Sequence, residues 1–465
     1  MGSGKGNNSG SLEDPADAGK PARHAEGLIA MFESRRATVG VVGLGYVGLP
    51  ILGAMHDAGY ATIGFDIDAE KIAKLKRGES YLRHPDPGLV GRLSGSDRFT
   101  PTTDEGALAG ADAVLLCVPT PLGPGRIPDL RYVERSTEMV ARVLRAGQLI
   151  VLESTTYPGT TREVCLPILE REASVRGLRL GWDYLLAYSP EREDPGRTSH
   201  TTRTVPRLVA GIDARSLRAA SALYRGAIDT VIEVGSCEVA ESAKLLENIY
   251  RAVNIALINE LAEVFAAMGI DATQVVRAAS SKPYGFQAFH PGPGLGGHCI
   301  PIDPFYLSWK ARQIGEPTHF IELAGEVNQR RPRVVVDRVV RALNDDAKPV
   351  RGSRVLVLGL AYKKNVDDVR ETPAAEIIAE LIAMGADVEY HDPHVSRFPR
   401  MRRHHYPLAS VALSADRLAA SDCVVVVTDH DAIDWALVAE SSILVVDTRD
   451  ALGGIVSPRA RIVRV

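Results

Sequence analysis

The stretch with the most chemical content is Pro291-Gly-Pro-Gly-Leu-Gly-Gly-His-Cys299-Ile-Pro-Ile-Asp303-Pro. Glycines at 292, 294, 296 and 297 leave the backbone bare ahead of Cys299, so that a bulky ligand can approach it closely. A thiolate adds readily to a carbonyl carbon, and a neighbouring cation lowers the thiol pKa. The candidate cation is Lys244. Glu241, Lys244, Asn248 and Arg251 recur at i, i+3, i+7 and i+10, a polar stripe on an otherwise largely apolar helical segment, and the stripe is expected to line an internal cleft. Asp303, one helical turn beyond the cysteine, suits the orientation of a water or lysine in a proton relay. His298 is a further candidate base, placed below Lys244 because adjacent side chains diverge. Cys117 and Cys423 lie in apolar strand-like runs and read as small core residues.

A second constellation is Gly43-Leu-Gly45-Tyr-Val-Gly48, between an apolar run and a helical pattern. The first glycine permits a tight turn, the second lets the backbone approach a pyrophosphate, and the third permits close helix–strand packing. The helix N-terminus then offers N–H groups to phosphate. Asp66 ends the next strand, where an acidic residue binds ribose hydroxyls and repels a 2′-phosphate, so NAD is expected rather than NADP. Two further strand ends, Val118-Pro119-Thr120 and Glu153-Ser-Thr155, carry hydroxyls where an open α/β sheet binds its ligands; each equally suits a simple turn.

The elements that must hold these residues are legible as alternation. Strands are expected at 38–42, 60–66, 113–118 and 148–154, with helices between them, and 185–189, 207–211 and 230–233 extend the same parallel, doubly wound sheet. From Glu238 to Met268 there is no proline or glycine, which predicts a helix roughly 45 Å long, suited to a spine between domains. A second alternating unit begins at Arg354, with strands at 354–358, 387–391, 422–428 and 443–447. The expected organisation is a disordered tail over 1–35, a dinucleotide-binding domain over 36–235, a central helical domain over 236–345 and a second α/β domain over 346–465.

The composition excludes several classes. The 465 residues carry a net charge of −4, with 45% hydrophobic and 24% charged residues, so no nucleic-acid partner is implied. The five cysteines are widely spaced without a CxxC pair, which speaks against a disulfide framework or structural zinc and for a reducing, cytoplasmic setting. The richest apolar run, Val39 to Met55, is broken by glycines and a proline, so no membrane span is expected. The histidines at 391 and 394 follow a strand with Asp392, but no complete metal-ligand set is evident.

Taken together, the glycine turn at 43–48, Pro119-Thr120, Ser189-Pro-Glu191, Glu241-x-x-Lys244-x-x-x-Asn248, Gly296-Gly-x-Cys299-x-x-x-Asp303 and the run from Lys363 to Arg370 resemble the UDP-glucose/GDP-mannose dehydrogenase family from about Ala37 to the C-terminus. The resemblance implies two Rossmann-like domains joined by a long central helix, usually as dimers or larger oligomers. It implies NAD-dependent, two-step oxidation of the C6 alcohol of a nucleotide sugar, with Cys299 carrying a thiohemiacetal and then a thioester. In this reading Lys244, or a water held by Thr120 and Asp303, takes the alcohol proton. Lys244 and Asn248 stabilise the oxyanion, and Glu191 is the base for the hydrolytic water. The cofactor set becomes Gly43, Gly45, Tyr46, Val47, Gly48, Asp66, Lys71, Pro119, Thr120, Thr155 and Arg370. The sugar-nucleotide set becomes Glu191, Lys244, Asn248, Arg251, Phe289, His290, Gly296 and Lys363. One departure is Pro195, where many UDP-glucose-oxidising members carry a second glutamate; Glu193 and Asp194 have the wrong spacing to replace it simply. The string Ser189-Pro-Glu-Arg-Glu-Asp-Pro-Gly196 looks more like the members of bacterial polysaccharide pathways that oxidise UDP-N-acetylglucosamine. The rivals are UDP-glucose and UDP-N-acetylmannosamine as substrates, a simple two-electron dehydrogenase, and a non-catalytic NAD-binding regulator.

Overall fold

Short apolar runs punctuated by glycine give the chain two separate sheets. The computed structural model describes residues 23–82, 86–192, 201–297, 299–401, 404–456 and 458–465. β1 (Thr38–Val42), β2 (Ala61–Phe65), β3 (Phe99–Thr102), β4 (Ala113–Leu116), β5 (Gln148–Leu152), β6 (Tyr184–Tyr188), β7 (Arg207–Gly211) and β8 (Val231–Glu233) form the first, in the order β3-β2-β1-β4-β5-β6-β7-β8. The inner strands are apolar along their whole length because helices cover both faces. β9 (Arg354–Leu358), β10 (Asp387–His391), β11 (Cys423–Val426), β12 (Leu444–Asp447) and β13 (Arg461–Arg464) form the second sheet, all parallel, in the order β10-β9-β11-β12-β13.

The first sheet departs from the expected all-parallel arrangement. It is parallel through β6, but β7 runs antiparallel to β6 and carries β8 parallel to itself. No crossover helix lies between β6 and β7 among the described residues, so the chain returns in the opposite direction. β3 and β13 were not anticipated. β3 reads Phe-Thr-Pro-Thr, where proline masks the strand pattern.

The expected tail over 1–35 is too long. Residues 1–22 lie outside the described residues, but Arg23–Glu33 is a helix. Its residues Ala25, Leu28, Ile29 and Phe32 are buried in the core of the first unit, and Tyr60 donates a hydrogen bond to the Phe32 carbonyl (2.8 Å). The apolar positions at 25, 28, 29 and 32 have helical spacing that the polar composition around them obscured.

Between the sheets lies the spine helix, Cys237–Ala267, whose first turn is capped by Ser236 Oγ accepting from Val239 N–H (3.3 Å). The cysteine helix, Cys299–Gln313, and the return helix, His319–Asp345, pack against it. Among the described residues no helix is long and apolar enough to cross a membrane.

Candidate active site

The glycine turn joins β1 to the helix Gly48–Asp57, and each glycine has its own reason. Gly43 has φ +89°, and a Cβ there would stand 2.6 Å from the Cys117 carbonyl oxygen. A Cβ on Gly48 would stand 1.8 Å from the Gly43 oxygen. A Cβ on Gly45 would meet nothing within 4 Å, so at that point the backbone faces open space. The helix that follows has no side-chain cap, leaving its first N–H groups for an anion. Asp66, just past β2, accepts from Leu44 N–H (2.9 Å) and Asp68 N–H (2.9 Å), with Lys71 Nζ 3.2 Å away. An open cradle, uncapped N–H groups and a carboxylate beside them fit an NAD pyrophosphate and ribose. Of the flanking strand ends, Thr120 is buried, Pro119 is exposed and Thr155 is half-buried. Ser154 is consumed structurally, accepting from Val118 N–H (3.0 Å) and donating to the Val118 carbonyl (2.7 Å).

Cys299 is the first residue of its helix and is solvent-accessible, whereas the other four cysteines are buried. Asp303, one turn on, is buried and accepts a hydrogen bond from the Asn248 amide of the spine (2.7 Å). Lys244 and Asn248, one turn apart on the spine, are both nearly buried. Lys244 and Arg370 pull the Cys299 thiol down, but crowding by the surrounding protein and the Asp303 charge outweigh them and push it to about 11. The expected activation by Lys244 therefore operates without prevailing. Burial also raises Asp303, to about 7.

The polar stripe divides. Lys244 and Asn248 face the cysteine helix, while Arg251 is exposed. Glu241 does not line the cleft: its carboxylate accepts from Gly159 N–H (2.6 Å), Thr161 N–H (2.9 Å) and the Thr161 hydroxyl (2.7 Å). It ties the segment after β5 to the spine. Phe289 packs edge-on against Tyr250 at 5.9 Å, and His290 is exposed beside it. Lys363 is half-buried on the loop after β9. His298 and the segment 193–200, with Glu193, Asp194 and Pro195, lie outside the described residues.

Packing also requires two of the glycines before Cys299. A Cβ on Gly296 would stand 2.4 Å from Tyr362 Cβ, and one on Gly297 3.0 Å from the Tyr362 ring. Gly297 N–H donates to the Arg370 carbonyl (2.8 Å). The glycines thus admit the loop of the second α/β unit. Gly292 is clamped from behind: its N–H donates to Asn259 Oδ1 (2.9 Å) and its carbonyl accepts from the buried Arg331 (3.0 Å). Arg370 lies over the Tyr46 ring at 4.5 Å and is paired with Asp368 (2.6 Å), so this loop reaches the dinucleotide turn as well. A cleft of about 990 Å³ adjoins this junction, lined by Pro121, Arg126, Ile300, Arg370 and Pro373 among others.

Sequence reasoning missed a buried cluster beneath Glu191. Arg207, the first residue of β7, bonds Ser189 Oγ (2.9 Å), Glu191 (3.4 Å) and Glu153, and Tyr224 donates to Glu153. The available signal was an arginine opening an otherwise apolar strand, where a charge must be paired.

A doubly wound sheet with a glycine turn and a ribose carboxylate, facing an accessible thiol across a helical spine, defines an NAD-dependent dehydrogenase. The models of the UDP-glucose/GDP-mannose dehydrogenase family match its NAD-binding domain at 37–228, its central domain at 238–330 and its UDP-binding domain at 356–454, and the chain belongs to that family. It is 36% identical to a UDP-N-acetyl-D-glucosamine 6-dehydrogenase of Pseudomonas aeruginosa, over 84% of this chain and 90% of that one. It is 33% identical to a UDP-N-acetyl-D-mannosamine dehydrogenase of Methanococcus maripaludis strain C7, over 84% and 86%. A solved UDP-D-ManNAc dehydrogenase of Pyrococcus horikoshii superposes with a TM-score of 0.80 at 30% identity, covering 92% of this chain and 98% of that one. The chain is accordingly an NAD-dependent nucleotide-sugar dehydrogenase.

Proposed function

We propose that this enzyme oxidises the C6 alcohol of UDP-N-acetylglucosamine to the carboxylate through a covalent adduct on Cys299. The observation that carries the proposal is Cys299, an exposed residue at a helix N-terminus, with Asp303 one turn away and hydrogen-bonded to Asn248. Bound NAD+ supplies the hydride acceptor for each oxidation. Lys244, or a water held by Thr120 and Asp303, takes the hydroxyl proton. Cys299 adds to the C6 aldehyde as a thiohemiacetal, which retains the reactive carbonyl, and the second oxidation leaves a thioester. Lys244 and Asn248 donate to the oxyanion, and Glu191 takes a proton from the hydrolytic water. Lys363, Arg251, Phe289, His290 and Gly296 belong to the sugar-nucleotide site, and Arg370, Tyr46, Val47, Lys71 and Thr155 to the cofactor site.

The sugar assignment is supported by the string from Ser189 to Gly196 and by relatives named for UDP-N-acetyl-D-glucosamine in Pseudomonas aeruginosa and Salmonella typhi. Relatives named for UDP-N-acetyl-D-mannosamine, at 32–34% identity, favour that sugar as the second reading. A homodimer belongs to the same proposal. Leu246, Tyr250, Leu257, Val264 and Met268 of the spine segment are exposed at helical spacing, an apolar stripe suited to a second copy.

The test is NADH released per mole of UDP-N-acetylglucosamine, UDP-N-acetylmannosamine and UDP-glucose. Two per mole, fastest with the first, is expected. Two per mole from another sugar alone replaces the substrate. One per mole, or full turnover in Cys299→Ser, ends the covalent double oxidation, and no turnover on any of the three turns the substrate search to other nucleotide sugars.

A further inference from the structure

Arg207 is 4% exposed and Glu153 fully buried, so two full charges sit in the core of the first unit, where neither survives unpaired. Four elements bring the group together. Glu153 follows β5, Ser189 follows β6, Arg207 opens β7, and Tyr224 lies on the helix Ala214–Arg225. Glu153 divides its carboxylate, one oxygen accepting from Tyr224 and the other from Arg207. Arg207 Nε donates to Ser189 Oγ (2.9 Å), and that hydroxyl donates to the Leu208 carbonyl (2.9 Å). The guanidinium is thus fixed on one edge and at one tip, its face over the Tyr224 ring at 5.2 Å. Its other tip, Nη1, points at Glu191 Oε2, 3.4 Å away. Such a fork delivers a hydrogen bond in a set direction, which a flexible ammonium does not.

Glu191 is 8% exposed, and its charge is felt by the Cys299 thiol. Its hydrogen-bonded neighbour is Arg207 from β7, and its charge also acts on Tyr224 of the helix and on Cys117 just after β4. A base beside the thioester must hold one oxygen toward the water while the other is anchored. We infer that Arg207, itself locked by Glu153, Ser189 and Tyr224, is a positioning residue for Glu191 in the hydrolytic step. This rests on Glu191 being the hydrolytic base. In that step the water oxygen bonds to C6, the C6–S bond breaks and the Cys299 thiolate departs. One water proton passes to Glu191, and the second is lost as the acid product ionises. Glu153 takes one tip of Arg207 and leaves the other, Nη1, as the longer, directional contact to Glu191.

The experiment is stopped-flow NADH formation with intact-protein mass analysis, using UDP-N-acetylglucosamine or whichever sugar turns over. Arg207→Gln and Glu191→Gln are compared with wild type across pH. Arg207→Gln should keep the two oxidations, giving a burst of about two NADH per site, and slow the release of the acyl-enzyme about tenfold or more. The acid limb of that release should move upward, because a cation beside a carboxylate disfavours its protonation. Arg207→Lys should restore the limb and only part of the rate. If Arg207→Gln does not fold, the paired Glu153→Gln/Arg207→Gln variant leaves no lone buried charge and carries the same expectation. Release and limb unchanged within twofold, or all steps slowed equally without adduct, overturn the inference. Glu191→Gln releasing acyl-enzyme at the wild-type rate overturns the base assignment with it, whereas slow release in Glu191→Gln and normal release in Arg207→Gln overturn the Arg207 role alone.

Discussion

The two α/β units begin alike and end differently. In the first, β1 runs into Gly43-Leu-Gly-Tyr46, and Gly43 N–H donates to the Phe65 carbonyl at the end of β2 (2.9 Å). In the second, β9 runs into Gly359-Leu-Ala-Tyr362, and Gly359 N–H donates to the His391 carbonyl at the end of β10 (2.9 Å). Both leading glycines have φ +89°, and both strand pairs are followed by an aspartate, Asp66 or Asp392. There the likeness stops. Ala361 stands where Gly45 opens the cradle, and Lys364, paired with Asp431 (2.6 Å), stands where Gly48 admits the helix. The next helix in the second unit starts only at Pro373. Asp392 accepts from Leu360, Ala361, His394 and Val395 N–H groups and from the buried His430 (3.2 Å). Asp66 accepts from two backbone N–H groups and sits beside the partly exposed Lys71. One carboxylate is kept at the edge of a cradle, and the other is spent on holding its own loop. The freed second loop instead reaches across to the cysteine, through Tyr362 and Arg370. One turn thus serves as ligand cradle and the other as domain clamp, on the same backbone geometry.

The largest effects should come from forcing a side chain into either turn. Gly48→Ala meets backbone, and Gly359→Ala meets Thr428 Cβ at 2.5 Å in a left-handed conformation. Each should cost about 3 kcal/mol or more in thermal unfolding. Only Gly48→Ala should also abolish NAD binding by calorimetry, and equal loss of NAD affinity in Gly359→Ala would break the division. Gly45→Ala meets no neighbour, so it should leave the unfolding temperature in place and weaken NAD by about tenfold or more.

A smaller effect separates the two aspartates. Asp66→Asn should raise the KM for NAD about tenfold and narrow discrimination against NADP, with stability nearly kept. Asp392→Asn should leave the KM unchanged and lower stability by about 1–3 kcal/mol, since a buried hydrogen-bonded partner is removed. A shifted KM in Asp392→Asn would return the second turn to the cofactor site.

The finest test is pH. His430 and the backbone N–H groups hold Asp392 well down, at about 2. A depressed folded pKa contributes stability above the unfolded value and loses it as pH falls through the folded one. The stability gap between wild type and Asp392→Asn should therefore be full near neutrality, begin to close below about pH 4 and vanish near pH 2. A gap constant from neutrality to pH 3 would show that the Asp392 charge contributes nothing.

The sequence by itself determined the strands and the spine, because continuous apolar runs and an uninterrupted helical segment leave few alternatives. It also located the dinucleotide turn, whose glycine spacing and following aspartate are local in the chain. It marked Cys299, Lys244, Asn248 and Asp303 as residues apt for chemistry. Only the tertiary structure decided what lies against what. Gly296 and Gly297, singled out for ligand approach, also abut Tyr362, 65 positions beyond Gly297. Glu241, on the same stripe as Lys244, turns to the opposite task of tying Gly159 and Thr161 to the spine. Glu153, Arg207 and Tyr224 meet only once β5, β7 and a helix are packed together. Periodicity is set by neighbours in the chain, whereas the pairing of a buried charge is set by distant elements converging, and no local pattern encodes that.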